Sequence, residues 1–73
     1  MAKPQPLELE VQRKGRRVAR FDATADPGDL TALRAALTDW LAGDGWDRKL
    51  WNEFELIARP ANGSKQLAKV RAT

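Results

Sequence analysis

The segment from Asp26 to Gly45 (DPGDLTALRAALTDWLAGDG) constrains this chain more than any other, because it carries one helical stripe and signals for both of its ends. Leu30, Leu33, Leu37, Trp40 and Leu41, with Ala36 among them, line one side of a helix of 3.6 residues per turn. The Asp26 carboxylate suits the N-cap, where it can accept from the first free backbone N–H groups. Pro27 suits the first helical position, and Asp29 sets negative charge against the positive end of the helix dipole. Gly43 reads as the left-handed residue that closes the helix, and Gly45 opposes its resumption. The expected helix runs from Pro27 to Ala42, roughly 24 Å at 1.5 Å per residue. Its exposed side would carry Thr31, Arg34, Ala35, Thr38 and Ala42, a smooth surface whose alanines are simply good helix formers.

A chain of 73 residues has room for that helix and one sheet. A domain this small buries only about 60% of the surface its unfolded chain exposes. It contains no cysteine, so neither a disulfide nor a thiolate-bound metal staples it, and a reducing compartment suits it. No stretch approaches the ~20 apolar residues of a membrane span, and the N-terminus lacks the apolar core of a signal peptide. The expected location is the cytoplasm. Residues 1–6 (MAKPQP), with two prolines and no apolar anchor, are expected to be a flexible arm ahead of a single domain at 7–73.

The strands are written in alternation. Leu7, Leu9 and Val11 share one face and Glu8, Glu10 and Gln12 the other, the mark of a half-buried strand. A second strand over Arg16 to Ala23 follows the turn QRKGR. A bare Lys14-Gly15 turn would set Leu9 against Arg20 and Leu7 against Asp22, mixing charge into the apolar face. A three-residue loop of Arg13, Lys14 and Gly15, with Gly15 as the bulge residue, pairs Leu7 with Phe21 and Leu9 with Ala19 and sets Glu8 opposite Arg20. That is the expected register. After an irregular connector at Trp46 to Lys49, LWNEFELIAR (Leu50 to Arg59) and KQLAKVR (Lys65 to Arg71) flank the turn PANGS. The same construction there, with Ala61, Asn62 and Gly63 as the loop, pairs Phe54 with Val70, Leu56 with Ala68, Glu53 with Arg71 and Glu55 with Lys69.

The expected class is α+β, with ββαββ order and a four-stranded sheet of two hairpins packed on one helix. The outward faces of the strands are in turn acidic, basic, acidic and basic, and like charges on neighbouring strands oppose each other. This disfavours placing the first strand beside the third. Orders 2-1-4-3 and 1-2-3-4 remain, the former favoured. That order, with parallel central strands under a diagonal helix, resembles the β-grasp fold of ubiquitin-like and immunoglobulin-binding bacterial domains. The resemblance lies in topology and length and carries no function with it.

The inventory for catalysis is poor. His, Cys and Tyr are absent, and the one serine, Ser64, lies beside a hairpin turn with no base to activate it. The chain is expected not to be an enzyme and to need no cofactor. Asp39, Asp44 and Asp47 lack the alternate-position spacing of a calcium loop, so no metal is expected either. Two features point to macromolecular partners. Trp51, Ile57, Leu67 and Val18 occupy the parity of the wet face, an apolar patch with a charged rim. This holds for Trp51 if the third strand is regular back to Trp51; if it starts near Glu53, Leu50 and Trp51 instead cap the end of the core. Trp40 belongs to the helix stripe, and Trp46 closes the bottom of the core. The resulting expectation is a small binding or regulatory module acting on a protein partner or on a second copy of itself. The alternative is nucleic acid, gripped by Arg13, Lys14, Arg16, Arg17 and Arg20 on the first hairpin. The net charge of +3 permits that reading without requiring it.

Overall fold

The computed structural model describes residues 4–72; Met1 to Lys3 of the expected arm, and Thr73, lie outside the described residues. The elements are β1 (Gln5–Arg13), β2 (Arg16–Ala25), helix α1 (Leu30–Gly43), a 3-10 helix (Arg48–Glu53), β3 (Phe54–Pro60) and β4 (Ala68–Arg71). Gln5 and Pro6 thus belong to β1 rather than to an arm. The four strands form one antiparallel sheet in the order β2-β1-β3-β4.

The class is the expected one, but the order is not, and the β-grasp likeness falls with it. β1 lies against β3, the neighbour that the charge pattern disfavoured. The charges do not clash because the antiparallel register sets Glu8 opposite Arg59 and Glu10 opposite Ile57, leaving only neutral Gln12 opposite Glu55. β3 is not uniformly acidic, because Arg59 stands near its far end. Core demand then decides the order. β1 contributes Leu7, Leu9 and Val11, and β3 contributes Phe54, Leu56 and Ala58, all buried. The two strands richest in large apolar side chains take the centre, where cover is greatest. The alanine-rich β2 and the short β4 are left as edges.

Both hairpin registers differ from expectation by an even step, which preserves the faces. The first turn is the two-residue Lys14-Gly15, with φ of 52° and 81°, the doubly positive backbone that matches strand twist. A bulge at Val18 then adds a residue to β2, so Leu9 meets Phe21, Val11 meets Ala19 and Glu10 meets Arg20. In the second hairpin Leu56 meets Val70 and Glu55 meets Arg71, because residues 61–67 form a longer loop than the Asn62-Gly63 signal implies.

The helix begins later and ends later than its punctuation suggests. Asp26 accepts from the Gly28 N–H at 2.9 Å, making a turn of its own, and Asp29 caps α1 by accepting from the Ala32 N–H at 3.1 Å. Gly28, a weak helix former, falls in the turn rather than the helix. At the other end Gly45, at φ 81°, is the left-handed residue in place of Gly43. The Gly45 and Trp46 N–H groups donate to the Ala42 and Leu41 carbonyls at 3.3 and 3.1 Å, satisfying the last turn. Leu33, Leu37 and Leu41 are buried, each stabilising the fold by about 1.5–3 kcal/mol, whereas Leu30 at the helix start is 50% exposed. The 3-10 helix replaces the first part of the expected third strand. It places Trp51 and Leu50 against the end of the core, where Trp46 meets Phe54 edge-on at 4.9 Å.

Candidate interaction surface

α1 covers one face of the sheet and leaves the other open. Three rows cross that open face. Arg17, Gln12, Glu55 and Arg71 make the first, and Arg20, Glu10, Ile57 and Lys69 the second. The third holds Asp22, Glu8 and Arg59. Leu67 lies beyond it, its N–H donating to the Ala58 carbonyl at 2.8 Å.

The acidic positions on the two central strands are neutralised from their neighbours. Glu10 pairs with Arg59 at 3.0 Å and accepts from the Gln12 amide. Glu55 is held between Lys69 at 3.0 Å and Arg71 at 3.4 Å, and Glu8 lies 3.8 Å from Arg20. Glu10 is only 8% exposed. The Gln12 hydrogen bond, followed by Arg59, holds its carboxyl below the ordinary value of 4.5 against the opposing effect of burial. The centre of this face is therefore a closed charge lattice rather than a set of free ionic groups.

The four residues expected to form an apolar patch do not meet. Ile57 is on the open face but only 5% exposed, between Glu10 and Lys69 on the adjacent strands. Val18 and Leu67, each 42% exposed, lie at opposite corners, one at the bulge of β2 and the other before β4. Trp51 is on the helix side, half-buried against the core, with its Nε1 donating to the Trp46 carbonyl at 3.2 Å and Arg48 over its ring. Its shared parity with Ile57 counted only for a continuous strand, and the 3-10 helix breaks that count.

The basic cluster is likewise divided. Arg13 turns toward the core end, pairing with Glu53 at 2.9 Å and lying 5.2 Å from the Trp46 ring centre. Lys14 reaches the same carboxylate at 3.8 Å, and Arg20 leans toward Glu8. Among the described residues, Arg16 and Arg17 are the members of this cluster without an ion-pair partner.

The least satisfied part of the surface is β2 itself. It is an edge strand of ten residues, and one side of its main chain has no neighbouring strand among the described residues. Such an edge is a template for another strand. α1 approaches β4 and β3 more closely than β2, so Ala19, Phe21, Ala23 and Ala25 on the helix side are only half-buried. On the open side Asp22 stands opposite Glu8, a like-charge pairing, and has no cation within ion-pair distance among the described residues. Alternation places Phe21 on the core face as a partner of Leu7, and Asp22 enters only in the disfavoured register, so neither stands out as an edge feature. The available signal was the segment Ala-Arg-Phe-Asp-Ala at residues 19–23, with alanines at both ends and opposite charges on either side of Phe21.

No group of three or more acidic, His or Cys side chains suited to a metal ion occurs among the described residues, and no helix among them is long and apolar enough to cross a membrane. Comparison of the chain with protein-family models, with curated proteins and with solved structures finds no match.

Proposed function

We propose that this chain is a small non-enzymatic binding module that docks on another protein through β2 and the adjoining open face. The observation that carries this reading is the ten-residue edge, unpaired along its outer side among the described residues and half-covered on its helix side. A partner strand laid along it would satisfy main-chain groups by β-addition, with side chains supplying selectivity. The absence of His, Cys and Tyr supports a role in binding rather than catalysis. A cytoplasmic setting agrees with a chain that uses no cysteine.

A second reading, nucleic-acid binding at the first hairpin tip, is favoured by one observation: Arg16 and Arg17 are exposed and unpaired among the described residues beside the exposed Lys14. One experiment separates the two. Amide spectra of dilute isotope-labelled protein are recorded against its own unlabelled form, against cell lysate and against short duplex DNA. Docking predicts shifts along residues 18–25 with one of the first two. It fails if neither moves them. Nucleic acid predicts shifts at residues 14–17 that fade steeply above about 50 mM salt as counterion release weakens.

A further inference from the structure

We propose that the strand received by β2 belongs to a second copy of this chain, paired antiparallel about a two-fold axis beside Phe21. The inference rests on the docking reading above and names its partner. A two-fold at Phe21 sets each copy's Arg20 opposite the second copy's Asp22 on the open face. On the helix side it sets Phe21 against Phe21, and Ala19 against Ala23. Odd residues meet odd and even meet even, so the outward main-chain groups of one copy meet those of the other.

Neighbouring registers fail on charge. A two-fold at Arg20 opposes two guanidinium groups, and one at Asp22 opposes two carboxylates that already face Glu8. The Phe21 register instead gives Asp22 the cation it lacks within its own copy. β4, the other edge, offers no equivalent. Its outward residues are Lys69 and Arg71, so a two-fold at Val70 sets cation against cation. The bulge at Val18 bends β2 where its regular stretch ends, confining the pairing to the segment that is complementary. The half-covered rows containing Phe21 would adjoin across the axis, extending one continuous sheet through both copies.

The test is sedimentation over a concentration series for the intact chain and three variants, with circular dichroism as the check on folding. The unmodified protein is expected to pass from monomer to dimer. Arg20→Asp puts only carboxylates across the axis and Asp22→Arg only guanidinium groups. Each is expected to move the dimerisation midpoint upward by about tenfold or more, since two attractive pairs become repulsive. An equal mixture of the two single variants restores both pairs and should regain dimer as a mixed species. The double variant Arg20→Asp/Asp22→Arg also restores both and should dimerise alone, so it carries the test if a single variant unfolds. A monomer at every concentration, single variants that dimerise like the parent, or failure of the double variant to dimerise would overturn the proposal. A purified chain that stays monomeric while lysate shifts β2 signals would overturn the second copy as partner and leave docking on another protein standing.

Discussion

Replacing Ile57 by Ala distinguishes a covered open face from an exposed apolar patch. Ile57 keeps 5% of its surface in water although it belongs to the face opposite α1. The change removes three carbons. At about 0.8 kcal/mol per buried carbon group, the transfer contribution alone is roughly 2.4 kcal/mol. A cavity adds to this, but exposed Lys69 can settle into the space, so the total should stay near the low end of the 2–5 kcal/mol seen for buried aliphatic truncations, about 2.5–3 kcal/mol. For a domain of this size that is a fall of roughly 10–20 °C in Tm. Urea unfolding followed by circular dichroism should show a midpoint lower by about 2 M. Leu67→Ala, at a residue 42% exposed, should cost less than half as much. If Ile57→Ala costs under about 0.5 kcal/mol, the residue is washed by water and the interstrand cover described for it is wrong.

The two helix ends give paired comparisons. Asp29→Ala should cost about 1 kcal/mol of stability, and more than Asp26→Ala, because Asp29 supplies the cap while Asp26 closes a preceding turn. Denaturant midpoints of the two variants test this order. Gly43→Ala should stabilise by about 0.5–1 kcal/mol, since a methyl there meets nothing within 4 Å, whereas Gly45→Ala should destabilise by about 1–2 kcal/mol at its φ of 81°. Thermal unfolding of both variants would expose a reversed assignment. Glu10 should also leave a mark on acid stability. Its folded carboxyl titrates below 4.5, so the unfolded state binds more protons between the two values and stability rises with pH there. That contribution is present above 4.5 and is lost as pH falls through the lower, folded value. Glu10→Gln should flatten this part of the stability profile, and an unchanged acid limb would contradict the assignment.

Side-chain parity was the most legible property of the sequence. Leu7, Leu9, Val11, Phe54, Leu56 and Val70 all face α1, and Leu33, Leu37 and Leu41 complete the core. Parity survives errors of register, because a shift of two residues keeps every side chain on its face. What parity cannot convey is which residue stands opposite which, and the strand order depended on that. Glu8 and Glu10 looked incompatible with β3 until Arg59 and Ile57 proved to be their partners. The Val18 bulge and the long second loop change chain length along a ladder without changing its apolar pattern. Trp51 illustrates the remaining limit: six residues of 3-10 helix interrupt a stretch whose composition suits a strand. The capping residues were ambiguous because two aspartates and two glycines competed for two positions; Asp26 closes a turn of its own, while Gly43 stays in the last turn of α1. Ile57 lies on the open face, as its parity implies, but exposure does not follow from facing away from the helix when long side chains flank a residue on both sides.

The pairing of β2 with its own copy is tested most directly by an isotope-filtered NOE spectrum of mixed labelled and unlabelled chains above the dimerisation midpoint. Contacts between the Phe21 rings of the two copies, and between the Ala19 methyl of one and the Ala23 methyl of the other, are the expected result. A dimer whose intermolecular contacts arise from β4 or α1, with none along β2, would contradict it.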